Sequence, residues 1–138
     1  MHTVVVEKEF PHPPEKIWRA LTDPKLMSLW LMENDFVPGI GRKFSLRAKP
    51  VAHWNGVVDC EVLALEPCRR LAYSWNVGAD GPAALRTVVT WTLWPSPAGT
   101  RVRMEHAGFR PDQKGNYQGA QFGWQAFFAR LEPLLAQP

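Results

Sequence analysis

Four histidines and two cysteines are the side chains of this 138-residue sequence best suited to metal or nucleophile chemistry. His2, His12, His53 and His106 stand far apart. Neither Cys60 nor Cys68 has a second ligand at a spacing such as C-x-x-C or H-x-x-x-H, so no metal site is expected. The sequence has no G-x-S-x-G elbow for an activated serine and no glycine-rich phosphate loop, and no cofactor is expected. Acid–base chemistry needs less, because burial alone can tune one imidazole or carboxylate. His106 is the candidate catalytic residue, since it shares a strand face with Val102 and Met104. The alternative is a strand-end histidine bonded to the backbone. His53, beside Trp54, falls in a loop at a possible cavity mouth, or is a solvated loop histidine. Cys60 has inward parity and reads as a small core residue, while Asp59 and Glu61 read as the wet side of the same strand. Arg101 and Arg103 with Arg86 could face an acidic protein partner, or could belong to a solvated face that includes Glu105.

The elements that would position these groups follow from hydrophobic period. Thr3 to Phe10 alternates as a strand, with Val4 and Val6 on one side and Val5, Glu7 and Glu9 on the other. Pro14 then starts a helix with Ile17, Ala20 and Leu21 in a stripe, and Asp23-Pro24 repeats the start signal ahead of Leu26, Leu29 and Trp30. From Phe36 the period is two. Phe44, Leu46 and Ala48 alternate with charged and polar neighbours, as do Val58, Cys60 and Val62, then Leu71, Tyr73 and Trp75, then Val89, Trp91 and Leu93, then Thr100, Val102, Met104 and His106. Pro38-Gly39-Ile40-Gly41, Glu66-Pro67-Cys68-Arg69 and Pro95-Ser96-Pro97-Ala98-Gly99 are the turns, and residues 78–84 form an exposed loop. After a loop from Gly108 to Gly115, Asn116 is placed to cap a long helix carrying Tyr117, Gln121, Trp124, Phe128, Leu131 and Leu135, with Ala120 and Phe127 widening its apolar face. Pro133 should kink or end its last turn. Gly119 and Gly123 each cost that helix about 1 kcal/mol against alanine. Either something approaches them closely, a strand or a ligand, or they are tolerated near a frayed end. The fold class is α+β: an antiparallel sheet, two short helices after the first strand, and a long C-terminal helix, in one domain spanning residues 1–138.

A net charge of +3 with scattered basic residues gives no pattern for nucleic acid. No apolar run approaches the roughly 20 residues of a membrane helix, so no membrane span is expected. The first residues carry no export signal, which favours the cytoplasm and reduced thiols. Seven tryptophans and seven phenylalanines are the distinctive feature; aromatic side chains either fill a core or line a ligand cavity.

The segment P-P-E-K-I-W-R-A-L-T-D-P-K-L-M-S-L-W, Pro13 to Trp30, resembles the opening signature of the SRPBCC (START/Bet v 1-like) superfamily. Within it the sequence is similar to the branch of the C-terminal domain of the activator of heat-shock protein 90 ATPase. The Glu66-Pro67 turn followed by R-L-A-Y-S-W, the stretch T-R-V-R-M-E-H-A-G-F ending at Phe109, and Gly123-Trp124 continue the likeness in order over essentially the whole chain. The resemblance implies the full co-chaperone's C-terminal domain alone, with no match to its N-terminal domain expected within residues 1–138. The resemblance implies a helix-grip fold, with the curved sheet wrapped around the C-terminal helix and a deep cavity between them. By strand and helix parity the lining would be Trp30, Phe44, Trp54, Tyr73, Trp75, Trp91, Met104, Trp124 and Phe128. The fold hosts ligand carriers, cyclases and co-chaperone domains. The leading expectation is therefore a binder of a small hydrophobic or aromatic molecule. The alternatives are a protein-interaction module with a chaperone or other protein as partner, and a cyclase or hydrolase working through His106 or a buried acid.

Overall fold

The computed structural model describes residues 2–51 and 54–138; His53 lies outside them. Strand β1 (His2–Phe10) leads into helices α1 (Pro14–Thr22) and α2 (Pro24–Trp30), and a two-residue strand β2 (Glu33–Asn34) follows. Strands β3 (Lys43–Arg47), β4 (Val57–Glu66), β5 (Arg70–Val77), β6 (Leu85–Ser96) and β7 (Gly99–Phe109) come next, and helix α3 (Lys114–Leu135) closes the chain. All seven strands form one antiparallel sheet in the order β1-β7-β6-β5-β4-β3-β2. The chain thus runs as a meander from β2 to β7 and returns β1 to its far edge.

Alternation does what the period predicts. Val4, Val6 and Phe10 of β1, Phe44 and Leu46 of β3, Val58, Cys60 and Val62 of β4, and Val89, Trp91 and Leu93 of β6 are all buried on the inner face. The outer face carries the charge: Glu7 pairs with Arg101 and Arg103, Arg103 pairs also with Glu105, and Arg86 pairs with Asp80. The arginines considered as a basic docking face are each paired with a carboxylate of this chain.

Helix α2 starts as its sequence predicts, with Pro24 in the first turn and the Asp23 carboxylate accepting from the Lys25 backbone N–H at 2.9 Å. At its other end the buried Trp30 indole donates to the Ala20 carbonyl at 2.8 Å, tying α2 to α1. Helix α3 lays Trp124, Phe128, Leu131 and Leu135 into the sheet's concave side. Its start differs from expectation. A 3-10 turn, Pro111–Gln113, precedes it, and Gln113 rather than Asn116 stands at the cap position. The buried Gln113 amide donates to the Ala84 carbonyl at 2.9 Å and accepts from the Arg110 N–H at 3.1 Å. That anchor is long-range, which is why local capping preference missed it. Pro133 also does not end α3, which continues to Leu135. Only one backbone donor is lost there, and the following turn is closed by Ala136 N–H to the Glu132 carbonyl at 3.2 Å.

Candidate functional site

The inner aromatic residues mostly fill the space they were expected to line. Trp30 meets Trp91 edge-on at 5.7 Å between centroids, Trp91 meets Trp124 at 5.7 Å and stacks on Phe128 at 5.7 Å, and Phe44 meets Tyr73 at 5.5 Å. Trp30, Phe44, Tyr73, Trp75, Trp91, Met104, Trp124 and Phe128 are buried, and Trp54 is half-buried with its indole donating to the Val57 carbonyl at 3.0 Å. The deep cavity that the family likeness implies is occupied by these side chains. Against the N-terminal part of α3 a pocket of about 210 Å³ stays open, and of the nine expected lining residues Trp75 and Trp124 border it.

Trp75 near the end of β5, Leu85 at the start of β6, and His106 and Phe109 at the end of β7 form one wall of this pocket. The N-terminal half of α3 forms the other, through Asn116, Gly119, Ala120, Gly123, Trp124 and Phe127. A Cβ added at Gly119 or Gly123 would have no neighbour within 4 Å. No strand packs against the two glycines, so close backbone approach is not the reason for them. Their missing side chains instead leave the helix side of the pocket open. Phe127 meets Trp124 at 5.2 Å in an edge-on contact, and the Arg130 guanidinium lies 5.3 Å from the Phe127 ring centre.

His106, one of the few polar groups in the wall, is held by a directional chain. The Trp124 indole N–H donates to its Nδ1 at 2.9 Å. An indole nitrogen can only donate, so Nδ1 carries the lone pair and Nε2 carries the proton. Nε2 sits 2.7 Å from the Thr87 hydroxyl, which donates its own proton to the Trp75 carbonyl at 2.7 Å. The sequence Trp124 to His106 to Thr87 to Trp75 thus fixes one neutral tautomer. Burial of the imidazole, 1% exposed, brings its pKa down to about 3. In this arrangement the one basic lone pair is already engaged. The histidine is bonded to side chains rather than to the backbone expected for a strand end. Thr87 was not singled out from the sequence, although its inward parity with Val89 and Trp91 marks it as a polar residue on an apolar face. Phe109 stood in a recognised stretch without being assigned to the wall.

The remaining chemistry-bearing residues are dispersed. Cys60 and Cys68 are unpaired, and burial pushes the thiol of Cys60 far above its ordinary pKa. Among the described residues no group of three or more histidine, cysteine, aspartate and glutamate side chains comes together to hold a metal. No helix among them is long and apolar enough to cross a membrane. A larger depression of about 500 Å³ lies near the opposite end of β6, where Glu15 and Glu66 mix with Arg69, Arg70 and Trp94 on the outside of the β4–β5 turn. It shares no lining residue with the pocket against α3 and mixes charges of both signs.

Comparison with known proteins places this architecture. The family model described as activator of Hsp90 ATPase homolog 1-like protein matches residues 11–136. The chain belongs to that family. Its membership in the activator of Hsp90 ATPase homolog 1-like family accounts for the helix-grip arrangement, which recurs in solved structures. Protein MLL2253 from Mesorhizobium loti is 55% identical with a TM-score of 0.89, the alignment covering 98% of this chain and 97% of that one. The Aha1 dimer from Colwellia psychrerythraea shares the fold at 20% identity and a TM-score of 0.83, over 98% of this chain and 96% of that one. DynU16, a protein of the dynemicin biosynthetic locus, is 25% identical with a TM-score of 0.77, over 98% of this chain and 47% of the other. No curated protein matches the sequence. Family and fold are thereby established, and both leave the occupant of the pocket open.

Proposed function

We propose that this protein binds a small hydrophobic or aromatic molecule in the pocket between β5–β7 and the N-terminal half of α3. The observation that carries the reading is the pair Gly119 and Gly123, which leave room on the pocket side of a helix that also brings the large rings of Trp124 and Phe127 to the same wall. A helix gives up about 1 kcal/mol at each such glycine, and an aromatic-walled space is what it obtains. The volume suits a modest ligand: an apolar cavity of about 150 Å³ holds benzene, and this one offers about 210 Å³. The relationship to DynU16, which comes from a biosynthetic locus, supports a small-molecule role. The unpaired cysteines fit a reducing cytoplasm. No proton step is assigned to His106, because its lone pair accepts from Trp124.

Thermal-shift screening of aromatic and lipidic compounds tests the reading, with the Trp124 indole N–H resonance followed by NMR. Ligand at a hundred times its dissociation constant adds about 2.7 kcal/mol of stability. The expected result is a saturable shift in both signals, lost on Gly123→Leu. Compounds that stabilise the protein while leaving the Trp124 resonance in place would overturn the assignment of the site.

A second reading is a protein-interaction module, favoured by Phe122. This ring is 81% exposed on the outside of α3, beside the exposed uncharged residues Gln118, Gln125 and Ala129. Stimulation of a purified Hsp90 ATPase that Phe122→Ser abolishes would support it. Equal stimulation by both forms would remove Phe122 from the contact.

A further inference from the structure

The charge of the pocket decides which small molecules it accepts. None of its ten wall residues is ionised: Trp75, Leu85, Phe109, Gly119, Ala120, Gly123, Trp124 and Phe127 are apolar or aromatic, Asn116 is a neutral amide, and His106 is locked as neutral imidazole. Three cations on the surrounding elements are engaged elsewhere, and Lys114, the first residue of α3, is exposed and stands outside the wall. Arg110 binds the Asp112 carboxylate and the Pro82 carbonyl, Arg86 binds Asp80, and Arg130 donates to the Trp30 carbonyl at 3.2 Å while lying against Phe127. His106 has no donor capacity left for an anion either, since its Nε2–H faces Thr87 and its Nδ1 is occupied by the Trp124 indole. A ligand carboxylate buried here would lose its hydration without gaining a cation or a free N–H from the imidazole. A buried ammonium would find no carboxylate.

We infer that the pocket selects uncharged compounds of one or two aromatic rings and rejects carboxylate and ammonium analogues of the same ring system. An uncharged polar substituent is tolerated at the rim, where the exposed Asn116 amide can meet it. The inference rests on the reading of the pocket as a ligand site and adds the chemical class of its occupant. It also separates this protein from carriers of fatty or aromatic acids, which need a buried cation or a cluster of donors to hold the acid group.

The test uses the whole 138-residue chain with three probes sharing one ring system: 2-naphthol, 2-naphthoate and 2-naphthylmethylammonium, titrated near pH 7 by calorimetry and by NMR of the Trp124 indole N–H. The expected result is saturable binding of 2-naphthol that moves the Trp124 resonance, with both ionic probes about a hundredfold weaker or more. Equal affinity for all three, or tighter binding of either ion, overturns the charge selection and leaves the pocket standing. Failure of every probe to move Trp124 up to its solubility overturns the ligand site itself. Gly123→Leu supplies the remaining control, because binding that survives it is not in this pocket.

Discussion

The Trp91 indole donates to the Tyr73 hydroxyl at 3.1 Å, and both side chains are buried at 1% exposure or less. Trp91 stands at the centre of the aromatic packing, against Trp30, Trp124 and Phe128, so its N–H has no route to solvent. Tyr73→Phe keeps the ring and removes only the acceptor. It should cost about 1–3 kcal/mol, the penalty for stranding a buried donor. Trp91→Phe in the Tyr73→Phe background should then cost less than in the wild type, a coupling that a double-mutant cycle in urea measures. Additive effects would mean that the indole N–H finds another partner.

His106 makes stability depend on acidity with a definite sign. Its folded-state pKa lies near 3, below the ordinary 6.5, because burial disfavours the cation. Above pH 6.5 the ring is neutral in both folded and unfolded chains and contributes no slope. As pH falls from 6.5 towards 3 the unfolded chain takes up a proton that the folded chain refuses, and stability drops by up to about 1.4 kcal/mol per pH unit. Glu7 and Asp112, whose arginine partners hold their carboxyls below the ordinary 4.5 and 3.8, enter at the acid end of that range. The window from 4.5 to 6.5 therefore reports on the histidine. Subtracting the pH–stability curve of His106→Gln from that of the wild type should leave a positive slope there. A flat difference would show that the imidazole is hydrated or protonated in the folded chain.

Much of this architecture can be read from residue pattern, and the reasons for the misses are physical. Period-two alternation places Val4, Cys60, Tyr73, Trp91 and Met104 inward correctly, because a sheet wet on one face penalises any other register. Alternation says nothing of how far a ring reaches. Trp30 and Trp91 had the parity of cavity walls, and only three-dimensional packing shows that they fill the interior while Trp75 and Trp124 border a space. Glu33–Asn34 carries no apolar alternation and pairs only at the sheet edge, so β2 left no trace in the sequence. The start of α3 depends on Gln113 meeting Ala84, a contact between residues far apart along the chain.

Cys68 holds a conformation that suits glycine better. It sits at φ 61° in the turn between β4 and β5, where the Arg69 N–H bonds back to the Glu66 carbonyl at 2.9 Å. A side chain in the left-handed region costs about 1–2 kcal/mol. Glycine removes that cost and returns part of it as unfolded-state entropy. Cys68→Gly should therefore stabilise the protein by up to about 1 kcal/mol, while Cys68→Ala should not, since it keeps the Cβ. Equal gains in urea melts of the two variants would trace the effect to the thiol instead of the backbone.

Gly123 links stability to binding with opposite signs. A methyl there meets no atom within 4 Å beyond its chain neighbours and the backbone of its own helix, so alanine fits without strain and improves helix propensity by up to about 1 kcal/mol. The same methyl occupies space in a pocket of about 210 Å³. Gly123→Ala should accordingly raise the melting temperature of the free protein and weaken 2-naphthol binding. Gly115 provides the matched comparison, being a glycine of the same helix with equally open surroundings and no place in the pocket wall. Gly115→Ala should leave affinity unchanged. If the two alanine variants bind the probe equally well, the glycine at 123 is not shaping the ligand's space, and the binding surface must be sought away from the N-terminal half of α3.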